Sequence, residues 1–162
     1  MADGGASNMI LLVTALLICG AASGILLQSW SQTATSVGIN QEQLALNSKT
    51  KISFSGDLGK ASCDAVSDQI TIYVQNSGSS ILDENEFGAF VDGTFVSLVG
   101  VPTFLNGATI WNSGVVVEFT LQSGTSILCD GTEEKRITVV VGTTTSGGVS
   151  GSDSITEVVK LG

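Results

Sequence analysis

The side chains able to do chemistry are few here, and the missing ones decide the most. None of the 162 residues is histidine. That excludes His-based general acid–base catalysis, Ser-His-Asp and Cys-His nucleophiles, and the commonest zinc ligand. The densest acidic cluster is Asp83, Glu84, Asn85 and Glu86, with Asp92 a hairpin away. Oxygen donors in a loop can hold Ca²⁺, so Asp83, Asn85 and Glu86 form a weak calcium candidate. The run lacks the alternating EF-hand spacing and its closing glutamate, which favours a solvated acidic loop. Paired carboxylates can also hydrolyse glycosides, but nothing in the sequence marks a cleft. The Ser/Gly-rich run Thr143–Gly151 contains no GxxxxGKS/T pattern, so it predicts no phosphate cradle. Glu133-Glu134-Lys135-Arg136 reads as a turn surface of mixed sign entering a strand. No enzyme, cofactor or resident metal is expected.

The three cysteines are of two kinds. Cys19 lies in an apolar run and reads as a small hydrophobe. Cys63 and Cys129 lie in the second part of the chain. If paired, they close a long loop worth about 4 kcal/mol in the chain-entropy account. Two free buried thiols are the alternative. No CxxC spacing points to a metal. A disulfide would place this part in an oxidising compartment, outside the cytoplasm.

These residues must be positioned by two very different segments. Met9 to Trp30 reads MILLVTALLICGAASGILLQSW, and no charge occurs between Asp3 and Glu42. About 20 apolar residues span a bilayer core of about 30 Å. The head carries Asp3 and no basic residue. A secretory signal requires a positive n-region, so a retained anchor is expected despite the small residues near Ala21. Gly20 and Gly24 form a GxxxG pair, with Ala15, Ala21, Ala22 and Ser23 nearby. These small residues are read as one packing face for helix association. The alternative is a generic membrane helix, in which Gly and Ala are common. One helix from about Ala6 to about Asn47 is predicted, bent or frayed near Gly38. Its second half is too polar for lipid and reads as a stalk. Lys49 and Lys51 argue weakly for an inside body by the positive-inside rule. The candidate disulfide argues for outside and carries more weight.

From Lys51 the period switches to two. Ile52 and Phe54, then Ile70, Ile72 and Val74, alternate with polar residues. Further strands are predicted at 87–91, 94–99, 115–121, 136–141 and 154–159. Asp92-Gly93 between apolar flanks predicts a type I′ hairpin. Seven or so short strands divided by Gly, Asn and Asp turns predict an antiparallel β-sandwich. The triplets 115–117 and 139–141 predict central strands buried on both faces. Exposed edges could pair with other chains, unless charges such as Glu118 and Lys135 protect them. The fold class is therefore α+β, a long N-terminal hydrophobic helix followed by the sandwich. The domains are residues 1–48 and 49–162. Net charge is −9 and all six Lys and Arg lie at or beyond Lys49. Without a basic stripe, nucleic-acid binding is not expected.

The opening MADGGASNMILLVTALLICGAASGILL resembles the N-terminal helix of the archaeal flagellar protein G family, a component of the archaellum. ITIYVQNSGSSIL, FGAFVDGTFV, Trp111-Asn112-Ser113-Gly114 and KRITVVV resemble that family's strand and turn elements in the same order. Ser113 stands where that family's pattern has proline. The head also lacks the basic residue plus glycine that precedes the processing site of archaellins and archaeal pilins, which favours an uncleaved accessory protein. The resemblance implies an immunoglobulin-like body outside the cytoplasmic membrane. It also implies a part in the static portion of the motility apparatus, between motor or filament and envelope. It implies partners among other archaellum components, the chain itself and the surface-layer protein.

Three functions are therefore carried forward. The first is a non-enzymatic structural archaellum component, anchored and self-assembling through Ala15, Gly20 and Gly24, with Phe104 and Trp111 as candidate contacts of the body. For Trp111 the alternative is a core aromatic. The second is a filament subunit whose helices pack in the filament core. The third is a membrane-anchored binding module for surface-layer protein or glycan.

Overall fold

The computed structural model of the chain describes residues 4–144 and 150–162. Asp3 in the acidic head and the centre of the TTTSGGVSG run lie outside the described residues. One helix, α1, covers Gly4–Lys49. It runs through Gly38 without a break, so the expected bend there is absent. A lone glycine costs a helix only about 1 kcal/mol relative to alanine. The hydroxyls along α1 bond back to their own helix: Thr14 to Ile10 O, Ser23 to Cys19 O, Thr33 to Ser29 O and Thr35 to Ser31 O. That pattern satisfies polar groups inside an apolar run without interrupting it.

Among the described residues nine strands follow: β1 Ile52–Ser55, β2 Cys63–Asp64, β3 Gln69–Asn76, β4 Leu82–Val91, β5 Thr94–Val96, β6 Thr103–Phe104, β7 Val116–Gln122, β8 Glu134–Thr143 and β9 Ser152–Lys160. One sheet has the order β1-β3-β7-β6, with β2 also on β3. The other has the order β5-β4-β8-β9. All the named strand pairs are antiparallel. The predicted α+β class with a β-sandwich is what the chain forms. β2 and β6, two residues each, are too short to leave a periodic signal.

The core lies between the sheets. Ile70, Ile72 and Val74 of β3 and Val117, Phe119 and Leu121 of β7 face Ala89 and Val91 of β4 and Ile137, Val139 and Val141 of β8, all buried. Phe87 stacks on Phe119 at 3.9 Å between centroids. Only one face of β7 and β8 is fully buried. Val116 and Val140, on the other face, are half-exposed, so the valine triplets are not sealed on both sides. In an antiparallel sandwich each sheet has an outer face that can meet solvent. Glu118 and Lys135 also lie on inner strands, not edges, and so do not guard an edge. The Asp92-Gly93 turn has φ of 51° and 82°, the two positive values that a type I′ hairpin demands.

The chain divides into two compact units, Met1–Gln41 and Glu42–Gly162. The division after residue 48 drawn from composition leaves the last turns of α1 with the rod. In the structure Leu46 and Asn47 are partly covered by the body and Thr50 is buried.

Candidate assembly surfaces

Two features are built for holding rather than for chemistry. The first is the exposed rod. Between Met9 and Leu27 only Thr14 and Ser23 are polar, and large apolar side chains stand exposed around the helix, among them Ile10, Leu12, Leu17 and Leu26. One described helix is long and apolar enough to cross a membrane. A helix apolar all round needs cover on every side. Gly20 and Gly24 lie one turn apart on one face, and a Cβ at either would meet nothing within 4 Å. Ala15 does not share that face. At 100° per residue it is about 140° from Gly20 and about 180° from Gly24, so the single packing face expected for all three is a two-residue face.

The second feature is the seat of the last helical turns in the body. The carbonyl of Lys49 accepts from Ser79 N at 2.8 Å, and that of Lys51 accepts from Ser77 N and Gly78 N at 3.0 Å. On the other side Asn47 Oδ1 accepts from Ser152 N at 3.0 Å. Thr50 donates to Leu46 O at 2.8 Å. Asp153 takes Ile52 N at 3.0 Å and pairs with Lys51 at 3.3 Å. Two glycines make room. A Cβ at Gly78 would overlap Lys49 O and lie 2.5 Å from Lys51 N. A Cβ at Gly151 would lie 2.6 Å from Thr50 Oγ1 and 3.0 Å from Leu46 C. In the sequence Gly78 reads only as part of a turn, Gly151 only as the end of a Ser/Gly-rich run and Asn47 only as the approximate end of the helix. Nothing local says that a glycine faces a distant backbone. Gly78→Ala should therefore cost about 1–3 kcal/mol, the usual penalty for forcing atoms into filled space. A denaturant midpoint for the full chain in detergent checks it, with Gly93→Ala, where no clash arises, as the comparison for turn strain alone.

The remaining candidates fall elsewhere. Trp111, offered as a contact residue, is 0% exposed. It packs 5.4 Å from Phe119 and donates Nε1–H to Val115 O at 3.1 Å. A contact role is thereby overturned, because the 112–114 turn folds the indole under β7. Phe104 on β6 is half-buried against the core. Asp83 Oδ1 accepts from both the backbone and side chain of Asn85. Among the described residues no group of three or more His, Cys, Asp or Glu is gathered as for a metal. Cys63 Sγ and Cys129 Sγ are bonded, with Cα atoms 5.9 Å apart. Cys19 is free and exposed on α1.

Charge on the body is organised locally. Lys135 lies 3.0 Å from Glu133 and 3.3 Å from Asp92. The Glu133 carboxylate beside it is the main reason that Lys135 is held above the ordinary lysine value. Glu133 accepts from Leu128 N, and that bond chiefly, then Lys135, keeps its carboxyl below the ordinary range. The Glu118 carboxylate next to Tyr73 raises the phenol. The signs give a stability plateau. What Glu133 contributes is complete above 4.5 and lost as pH falls through its lowered folded value. What Lys135 contributes is complete below 10.5 and lost as pH rises through its raised folded value. Thermal melts across pH should show Glu133→Gln flattening the acid limb and Lys135→Met the alkaline one. Unchanged limbs would sink the assignment.

No curated protein matches the chain. The archaeal-type flagellin family model matches residues 2–159, spanning both the helix and the sandwich. That family is structural and non-enzymatic, a component of the archaellum at the cell surface. With a charge-free rod, a buried junction and a β body all within the matched span, the chain belongs to the archaeal-type flagellin family.

Proposed function

We propose that this protein is an accessory structural component of the archaellum, held in the cytoplasmic membrane by α1 and self-associating there, with its body outside the cell membrane linking motor or filament to the envelope. The observation that carries this reading is the stretch Met9–Leu27, apolar on every side and about one bilayer long. Lipid covers such a helix all round, whereas a single partner covers only a stripe. Trp30, which follows directly, suits the interfacial belt. The Cys63–Cys129 bond suits an oxidising exterior. Surface-layer protein is the envelope partner in this reading.

A filament subunit is the second reading. The family match runs unbroken from the helix into the body, and copies of α1 packed in a filament core would also cover the rod on all sides. Fractionating cells separates the two. Recovery as small oligomers from detergent-extracted membranes supports the accessory reading, and recovery in sheared filaments supports the subunit reading. A chain found monomeric in the soluble fraction sinks both. Replacing Gly20 and Gly24 together by Leu should weaken self-association about tenfold if that face is used. Binding of the isolated 42–162 unit to envelope material tests the surface-layer contact.

A further inference from the structure

Asn106-Gly107 is the one Asn-Gly pair in the sequence. It closes the short helical turn Leu105–Gly107 that follows β6. Asn106 sits at φ 60° and ψ 23°, and Gly107 at φ 71°. Glycine takes such left-handed angles freely, and asparagine tolerates them better than most residues. The bond that closes the turn, Ala108 N to Leu105 O, is 3.4 Å, beyond the usual range. Both residues are exposed, and a Cβ at Gly107 would meet nothing within 4 Å. Other asparagines differ in one respect or the other. Asn76 precedes Ser77 and is buried. Its amide nitrogen donates to Ser80 O and Trp111 O, and its oxygen accepts from Gly78 N. Asn112 is exposed like Asn106, but Ser113 follows it.

We propose that Asn106 is a site of spontaneous deamidation, through a ring formed with Gly107 and opened by water. The backbone nitrogen of Gly107 loses its proton to solvent base and attacks Asn106 Cγ. The N–Cγ bond forms, the Cγ–Nδ2 bond breaks, and Nδ2 takes up a proton and leaves as ammonia. Water then adds to the cyclic imide. Opening at the Asn106 backbone carbonyl carbon leaves isoaspartate, with the chain running through Cβ and Cγ. Opening at Cγ leaves aspartate. No electrons are gained or lost. Ring closure requires the 106–107 peptide plane to turn until its nitrogen lies beside the side chain. Glycine accepts the φ that this rotation creates, and the open space at its Cα leaves the nitrogen within reach. Either product adds a negative charge just past the end of β6, an edge strand of its sheet. Charge at an edge disfavours pairing with another chain. Isoaspartate also lengthens the backbone beside Phe104, which packs half-buried against the core.

Peptide mass spectrometry of the full-length chain, kept folded in detergent at mildly alkaline pH, tests this, with heavy-oxygen water marking each hydrolysis. Asn106 should convert about tenfold faster than Asn112, because glycine in place of serine frees the attacking peptide. Isoaspartate should appear beside aspartate at 106. Asn76 should stay unchanged while the chain is folded. Gly107→Ala should remove most of the advantage of Asn106. Conversion at Asn106 no faster than at Asn112, aspartate formed without isoaspartate, or a rate indifferent to Gly107→Ala overturns the proposal.

Discussion

Replacing Trp111 by Ala should destabilise the body by about 3–5 kcal/mol, the range for deleting a large aromatic from a packed core. Trp111 has no exposed surface and fills the space beside Phe119, which itself stacks on Phe87. Its backbone matters as much. The carbonyl of Trp111 accepts from Leu82 N at 3.1 Å and from Asn76 Nδ2 at 2.9 Å. Asn76, also buried, bonds Ser80 O and Gly78 N as well. With the indole seated in the core, the Trp111 carbonyl and Asn76 together hold down the region where β3 crosses to β4. The measurement is a denaturant melt in a Trp30→Phe background, so that fluorescence reports Trp111 alone in the reference chain, with circular dichroism following the Ala variant. Trp111→Phe should lose much less, since a ring remains and only the bond to Val115 goes. Equal, small losses for both variants would show that the pocket does not depend on the indole.

Cutting the Cys63–Cys129 link should cost about 4 kcal/mol in the chain-entropy account. The bridge spans a sequence separation of 66 and ties β2 to the segment ahead of β8. Because the cost belongs to the pair, Cys63→Ser, Cys129→Ser and the double variant should all fall equally, the non-additivity expected of residues acting as one. Reduction of the unmodified chain should produce the same midpoint. Additive losses would mean that each sulfur contributes by packing and that the cross-link itself contributes little.

Much of this architecture was legible because period and composition speak directly to element type. Ile70, Ile72 and Val74 alternate with polar residues, and the strand they predict has every second residue buried. Asp92-Gly93 needed no tertiary context, since its backbone angles are local. The failures share a cause: each turned on what lies across from a residue. Trp111 could be assigned to surface or core only by knowing where the 112–114 turn sends it. The sequence of the valine triplets around Val116 and Val140 does not show that each lies in one of two sheets with an outer face. Ala15 lies close to Gly20 and Gly24 along the chain, but helical rotation separates it from them. Gly78 and Gly151 were silent because their neighbours, Lys49 and Leu46, are far away in sequence.

The seat of α1 has a mechanical consequence. Its last turn is gripped from the β3–β4 crossing at Ser77–Ser79 and from the start of β9 at Gly151–Asp153, and the crossing joins the two sheets. A pull arriving along the backbone at Lys49 is therefore divided between both layers rather than peeling one strand from an edge. A structural component of the archaellum that is pulled along its helix calls for that sharing of load.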